Sequence, residues 1–349
     1  MEKQKLDGLG GYLSALPTPF RNQEIDENTF AKFCEWQIRQ GIWGLVVNGT
    51  TAEAPTLTMA EQERLIRVAV ETAQHQVPVI AGVGSNATSH VIELAQQAER
   101  AGTDALLAVT PYYNKPSQEG VFRHFRAVHD ATGLPIILYD VPSRTGCELR
   151  LDTVCRLAEL PRIIGIKDAT GDLTRPAAMR RLLGDRFRLL SGDDATALDY
   201  LGLGGDGCIS VVSNVVPKLC NRLFLACFCG EPAEARAIER RLRPLVAALF
   251  VESNPVPLKW AMSLMGHMSA ELRLPLCESA ETTRCAVRKA LTQIGLIGPN
   301  LLLRNAARVL SLAGRGRPFR TPRAGGNRTH RPGPAARCRP GSRHAGNRR

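Results

Sequence analysis

The stretch IIGIKDATG, residues 163–171, decides the fold class of this chain of 349 residues. Its apolar run ends at Lys167 and is followed by residues that favour turns. A short apolar run bounded by turn residues is typical of a strand that is buried on both faces of a parallel sheet. Seven more runs of this kind recur along the chain: YLSAL (12–16), WGLVV (43–47), PVIAGV (78–83), ALLAV (105–109), PIILY (135–139), FRLLS (187–191) and CISVV (208–212).

Sequence typical of helices fills the intervals between these runs. Thr58 and Glu61 form the capping-box pattern of a helix start, and Ser117 is a suitable N-cap for another helix. Asp152 and Asp194 are interpreted as N-caps of two more. Eight strands that alternate with helices predict a (β/α)8 TIM barrel. A doubly wound sheet is the competing fold, but the strand count and the lack of a glycine fingerprint after the first strand argue against it.

The pattern changes towards the C-terminus. Residues 231–300 contain consecutive helical patterns, so we assign 1–230 to the barrel and 231–300 to a C-terminal helical domain. In 301–349, Arg, Gly, Pro and Ala dominate and hydrophobic periodicity is lost. Such a segment lacks the apolar residues needed to bury a core, so we expect it to be disordered.

The net charge of +12 comes from that last segment. Residues 301–349 hold 13 of the 45 basic residues and none of the 33 acidic ones, so residues 1–300 carry a net charge of −1. An Arg-rich tail suits nucleic acid or an anionic surface, and a nucleic-acid-associated protein is one alternative function. The tail has almost no aromatic residues and the body has no basic patch to assist it, so we favour an incidental extension.

Bulk composition narrows the class of protein. No apolar run approaches the ~20 residues of a membrane helix, and the N-terminus lacks the apolar region of a secretory signal. The ten cysteines include no Cys-x-x-Cys pair, and the seven histidines show no metal-ligand spacing. We therefore expect a cytoplasmic protein that uses neither a metal nor a cofactor.

Polar residues follow the predicted strands at the end where the catalytic groups of a TIM barrel lie. An amine, phenols, hydroxyls and a guanidinium together suit carbonyl chemistry on a carboxylate substrate, because lysine forms imines, hydroxyls shuttle protons and arginine binds carboxylates. Each group also has a plain structural explanation, such as a lysine that reaches solvent or turn hydroxyls that cap a helix. The residues concerned are Thr50, Thr51, Tyr112, Tyr113, Tyr139, Arg144, Lys167 and Gly192.

The series of motifs resembles the dihydrodipicolinate synthase family of class I pyruvate-dependent aldolases, over roughly residues 8–297. The stretches that carry the resemblance include GTTAE (49–53), VTPYYNKPSQEG (109–120), LYDVPSRTG (138–146), GIKDATG (165–171) and LLSGDDATALD (189–199). The resemblance implies a Schiff-base-forming lyase that condenses pyruvate with L-aspartate-4-semialdehyde on the route to diaminopimelate and lysine. It also implies a homotetramer built from two tight dimers.

The same resemblance implies roles for the catalytic residues. Lys167 forms the Schiff base with pyruvate, and Tyr139 relays protons near the imine. Thr50 links Tyr139 to Tyr113, which a neighbouring subunit supplies.

The substrate-binding residues are implied in the same way. Thr51 holds the pyruvate carboxylate, Arg144 receives the carboxylate of the semialdehyde, and Ile209 lines the pocket with its carbonyl. Gly192, which follows the seventh strand, is also predicted to be a substrate-binding residue. Sister aldolases such as N-acetylneuraminate or 2-keto-3-deoxy sugar-acid lyases are the alternative, and Arg144 together with the paired threonines argues against them.

The chain departs from the family pattern at several positions. Ala52 and Ala54 stand where the family carries glycine and serine. If position 52 requires a positive φ, alanine there costs about 1 kcal/mol. Asp140 stands where asparagine is commonest. Its carboxylate either repels an anionic substrate or pairs with a cation.

The first prediction concerns the tail. A chain that ends near residue 300 keeps the near-neutral body and all eight predicted strands, so its thermal midpoint should stay within about 2 °C of the full-length value. Its specific activity should also be unchanged. A larger drop in either quantity, measured by calorimetry and by steady-state kinetics, would show that residues 301–349 stabilise the body.

Overall fold

Eight parallel strands close into a barrel in the computed structural model, which describes residues 9–298. Each strand pairs with its neighbours along the chain, and the first pairs with the last. The strands are β1 (Gly11–Ala15), β4 (Gly44–Val47), β5 (Val79–Gly82), β6 (Ala105–Val109), β7 (Ile136–Asp140), β8 (Ile163–Asp168), β9 (Arg188–Ser191) and β10 (Gly207–Ser210). Every predicted run overlaps one of them, so the predicted TIM barrel is confirmed. The expected disorder of 301–349 concerns residues outside the described part.

A short antiparallel hairpin interrupts the first strand–helix connection, and the sequence analysis did not predict it. Its strands are β2 (Phe20–Arg21) and β3 (Glu24–Ile25). The two residues between them, Asn22 and Gln23, have φ of 54° and 66°. A two-residue turn with positive φ matches the twist of a hairpin, and asparagine is one of the residues that favour it.

Helices surround the barrel and extend it at the C-terminus. The helices that follow β1, β4, β5, β6 and β8 are α1 (Glu27–Arg39), α2 (Met59–Ala73), α3 (Thr88–Arg100), α4 (Gln118–Ala131) and α7 (Thr174–Leu183). The others are α5 (Pro142–Thr145), α6 (Leu151–Ala158), α8 (Ala197–Gly202), α9 (Pro217–Phe228), α10 (Pro232–Leu249), α11 (Val256–Leu264) and α12 (Glu281–Gln293). Residues 9–298 belong to one compact unit, and the division placed at residue 230 falls in the turn between α9 and α10. None of the helices in this part is long and apolar enough to cross a membrane.

Two of the four predicted N-caps are confirmed. The Thr58 hydroxyl accepts from the Glu61 N–H at 3.2 Å while the Glu61 carboxylate accepts from the Thr58 N–H at 2.9 Å. The Ser117 hydroxyl accepts from the Gly120 N–H at 3.2 Å. Each contact satisfies a backbone donor that the first turn of a helix leaves free.

The other two predicted caps are wrong. Asp152 lies inside the first turn of α6, whose N-cap is Arg150. Asp194 precedes the N-cap of α8, and its carboxylate accepts instead from the N–H groups of Val211 and Val212 at 2.8 and 3.3 Å. A carboxylate satisfies whichever free N–H groups the fold brings to it, and these come from the chain segment after β10.

The barrel has a filled interior, separate from the apolar layer between strands and helices. Side chains on each strand alternate between these two regions, as the period of two requires. The interior is packed with Leu9, Leu13, Ala15, Val46, Ile80, Ala105, Leu107, Ile137, Tyr139, Val141, Leu190 and Ile209. This interior determines which strand-end residues face the barrel mouth.

Candidate active site

Lys167 and Tyr139 form the centre of the site. They are register partners on β8 and β7, each one residue before the end of its strand. The Lys167 Nζ lies 4.3 Å from the centroid of the Tyr139 ring, and the two residues are only 7% and 8% exposed. The amine therefore stays inside the barrel mouth against an aromatic ring, and the alternative of a lysine that reaches bulk solvent is wrong.

Gly192 provides the space for the lysine side chain. A Cβ at this position would lie 3.0 Å from Cε and 3.1 Å from Cγ of Lys167, and 2.7 Å from Cβ of Ala169. Such distances are shorter than packed carbon atoms adopt, so any larger residue would displace the lysine. The structure thus gives Gly192 a steric role beside the amine.

The paired threonines lie in a 3-10 turn, Thr50–Ala52, that follows β4. Thr51 is buried, and its hydroxyl accepts from Nδ2 of Asn254 at 2.9 Å. Ala52 lies within the turn, and the left-handed residue is Glu53, with φ of 59°. The strain considered for alanine at position 52 therefore does not arise.

Arg144 and Thr50 line a cavity of about 490 Å³ at the barrel mouth. Arg144 belongs to α5, directly after β7, and its Nη2 donates to the Asn254 carbonyl at 3.4 Å. Tyr112 also lines this cavity, whereas Lys167 and Tyr139 are absent from its walls. The guanidinium is thus placed in a chamber outside the position of the amine.

Tyr113 and Ile209 occupy opposite extremes of burial. The Tyr113 side chain is 87% exposed, and its backbone has φ of 70° and donates to the Thr145 carbonyl at 3.1 Å. Within a single chain its phenol thus contributes nothing to the lysine environment. Ile209 is 1% exposed on β10, among the interior residues of the barrel.

A buried ion-pair network lies behind Lys167 and Tyr139, and its central residue, Arg175, was missed by the sequence analysis. Asp140 follows Tyr139 and Asp168 follows Lys167, so both carboxylates point out of the barrel interior. Arg175 Nη2 lies 2.9 Å from Asp140 and its Nε lies 2.8 Å from Asp168. The sequence signals for this network are Tyr139-Asp140 and Lys167-Asp168, one pair at the end of each of two neighbouring strands.

The position of Asp140 decides between the two alternatives, repulsion of an anionic substrate and pairing with a cation. Its carboxylate pairs with a cation and is fully buried behind the strand, so the alternative of repulsion in the mouth is wrong. Oδ2 accepts from the Leu149 N–H at 3.1 Å, while Oδ1 is buried and has no hydrogen-bond partner among the described residues. Burial raises the pKa of Asp140 to about 7, although Arg175 opposes the rise. Two carboxylates share one guanidinium, which leaves the network with excess negative charge.

The second prediction follows from that raised pKa. The Asp140 carboxyl binds a proton more tightly in the folded chain than in the unfolded one. Its contribution to the free energy of unfolding is therefore fully present below about pH 4 and is lost as pH rises through about 7. Between pH 5 and pH 8, the free energy of unfolding of wild type should fall by roughly 1–3 kcal/mol more than that of Asp140→Asn, because the asparagine has no carboxyl proton to lose.

Denaturant unfolding of both proteins at the two pH values measures this difference. Asp152→Asn is the control, because that carboxylate is 68% exposed and accepts only from Thr153 among backbone groups. If wild type and Asp140→Asn show parallel changes with pH, the carboxyl is already ionised at pH 5 and its raised pKa is wrong.

Comparisons with known proteins agree with this geometry. Residues 8–294 match the model of the dihydrodipicolinate synthetase family. A 4-hydroxy-tetrahydrodipicolinate synthase of Methylobacterium radiotolerans is 51% identical over 289 residues, which are 83% of this chain and 97% of the relative. The structure of the chloride-inhibited dihydrodipicolinate synthase of Acinetobacter baumannii, complexed with pyruvate, matches with a TM-score of 0.81 and 43% identity, over 83% of this chain and all of that one.

A monomeric dihydrodipicolinate synthase variant is a further match, with a TM-score of 0.81 and 40% identity. The alignment covers 82% of this chain and 97% of the variant.

Proposed function

The chain belongs to the dihydrodipicolinate synthetase family, and we propose that it condenses pyruvate with L-aspartate-4-semialdehyde through a Schiff base on Lys167. The enzyme is a Schiff-base-forming lyase of the route to diaminopimelate and lysine. The observation that carries the assignment of the nucleophile is the Lys167 amine, enclosed in the barrel mouth 4.3 Å from the Tyr139 ring centroid. We infer no second function.

The chemistry begins when the Lys167 amine adds to the pyruvate carbonyl and water leaves. The resulting iminium withdraws electrons, so the pyruvate methyl group loses a proton and becomes an enamine. The enamine carbon attacks the aldehyde of the second substrate. The amine of that substrate then displaces lysine from the former carbonyl carbon and closes the six-membered ring of 4-hydroxy-tetrahydrodipicolinate.

These steps move protons between nearby oxygen and nitrogen atoms. Tyr139, whose ring faces the lysine amine, is the first member of the proposed relay. Thr50 follows at the cavity wall, and Tyr113 of a second subunit completes the chain. The full exposure of the Tyr113 phenol in the single chain supports this view, because a residue that works in a neighbouring mouth must project from its own.

Thr51 and Arg144 bind the carboxylates of different substrates. Thr51, held by Asn254 at the base of its turn, binds the pyruvate carboxylate close to the imine. Arg144, exposed in the outer cavity, binds the carboxylate of the semialdehyde that arrives second. The active assembly is a homotetramer of two tight dimers in the cytoplasm, and Tyr113 makes at least a dimer necessary for turnover.

The third prediction concerns the nucleophile. Pyruvate followed by borohydride should leave one covalent adduct, on the peptide that contains Lys167, since this amine lies enclosed beside a phenol at the mouth. Lys167→Ala and Lys167→Arg should both give no adduct, because a guanidinium stays protonated. Lys115→Ala, which removes an exposed lysine near the mouth, is the control and should label normally. Labelling of Lys167→Ala would disprove the assignment.

The fourth prediction separates the two carboxylate sites. Arg144→Ala should lower kcat/KM for the semialdehyde by about 10–100-fold, the effect of losing a charge-assisted contact of roughly 1.5–3 kcal/mol. Borohydride trapping of pyruvate should change by less than about threefold, since imine formation does not use this group.

Arg150→Ala provides the matched control, because Arg150 is exposed and its ion pair among the described residues is a surface contact with Asp152 at 3.5 Å. Equal losses in pyruvate trapping and semialdehyde turnover in Arg144→Ala would mean that Arg144 serves the other substrate.

A further inference from the structure

The ion pair between Glu53 and Lys259 is the most deeply buried one in the described part of the chain. Lys259 Nζ lies 2.7 Å from Glu53 Oε1, and both side chains are 0% exposed. Removing two charges from water is costly, and apolar residues of similar volume often stabilise a fold as well or better. Stability alone therefore does not account for the pair, whose geometry constrains the backbone at Glu53.

Glu53 sits where the backbone is strained. It has φ of 59° and ends the 3-10 turn that carries Thr50 and Thr51. A side chain with a Cβ adopts this left-handed conformation only at a cost, so surrounding contacts must enforce it. Two contacts do so: Oε1 accepts from Lys259, and Oε2 accepts from the Arg273 N–H at 3.0 Å.

The contacts all come from one distant part of the chain. Lys259 lies on α11, and Asn254, which donates to the Thr51 hydroxyl, lies just before that helix. The turn is therefore held at Thr51 and at Glu53 by residues about 200 positions further on. The Asn254 carbonyl also accepts from Arg144, so the same segment contacts both carboxylate-binding groups of the proposed site.

An aromatic ring fixes the position of the lysine. The Phe20 ring, 1% exposed in the hairpin strand β2, has Lys259 Nζ 4.2 Å from its centroid and the Arg273 guanidinium 4.4 Å away. Lys259 therefore lies between the Phe20 ring and the Glu53 carboxylate, whereas the Arg273 guanidinium pairs with Glu61 at 2.7 Å. Lys259 has no route to substrate, since it is fully enclosed by these groups.

We propose that the Glu53–Lys259 ion pair is a positioning device that sets the enzyme's affinity for pyruvate by fixing the Thr50–Thr51 turn. Both charged side chains are fully buried, and they act on the site through the turn. The charge on each fixes the other, and this contact orients Glu53 at the end of the turn, whose Ala52 carbonyl also accepts from the Thr18 hydroxyl at 2.7 Å. This inference rests on the proposed function, in which Thr51 binds the pyruvate carboxylate.

Three variants test it: Glu53→Gln, Lys259→Met, and the double variant. In each, the pyruvate concentration that gives half-maximal borohydride trapping of Lys167 should rise at least about tenfold, because the turn is no longer held at a fixed distance from the imine. The trapping rate at saturating pyruvate should stay within about threefold of wild type, because Lys167 and Tyr139 are unchanged. The control is Glu63→Gln, which removes the same charge from an exposed pair with Arg67 on α2.

The double variant separates positioning from stability. Each single variant leaves an unpaired buried charge and should lower the thermal midpoint, whereas the double variant leaves none and should recover most of it. If the pair positions the turn, half-saturation stays raised in the double variant despite the recovered midpoint. The inference is overturned if the pyruvate concentration for half-maximal trapping returns to the wild-type value together with the thermal midpoint. It is also overturned if that concentration never changes in the single variants, because the pair is then only structural.

If a single variant does not fold, the double variant decides alone. Failure of wild type to trap pyruvate at all would instead contradict the proposed function, so the two outcomes are distinguishable.

Discussion

The alternation of side chains at the ends of β7 and β8 is the constraint on which the site depends. On each strand one residue faces the barrel interior and the next faces the surrounding helices. Tyr139 and Lys167 are therefore inside together, and Asp140 and Asp168 are outside together, where one guanidinium of Arg175 binds both. A shift by one residue would bring a carboxylate into the mouth, in place of the phenol on β7 or of the amine on β8. The Arg175 network and the register of the barrel thus support the same arrangement.

The substrate side of the mouth is held differently. The turn with Thr50 and Thr51 follows a strand end, yet its conformation depends on Asn254 and Lys259 in the C-terminal helical region. That region is therefore part of the catalytic unit in this fold, because it supplies the contacts that orient the turn and reach Arg144. The barrel places Lys167, and the helical region contacts Thr51 and Arg144, the proposed carboxylate-binding groups.

Local patterns in the sequence were enough to predict the strands and the position of Lys167 at the end of one of them. An apolar run that ends in a single lysine identifies both a buried strand and its functional end, since both signals lie within nine residues. The caps at Asp152 and Asp194 were mispredicted because a carboxylate near a helix start binds any free N–H group that the fold brings close. Contacts such as Lys259 with Glu53 join residues that are remote in the chain, and a single sequence carries no signal of their proximity.

A crystal structure of the enzyme soaked in pyruvate tests the central claim most directly. The account predicts continuous electron density from Lys167 Nζ to the second carbon of pyruvate, with the carboxylate at the Thr51 turn and the Tyr139 hydroxyl beside the new bond. Density for unbonded pyruvate, or for an adduct on another lysine, would contradict it.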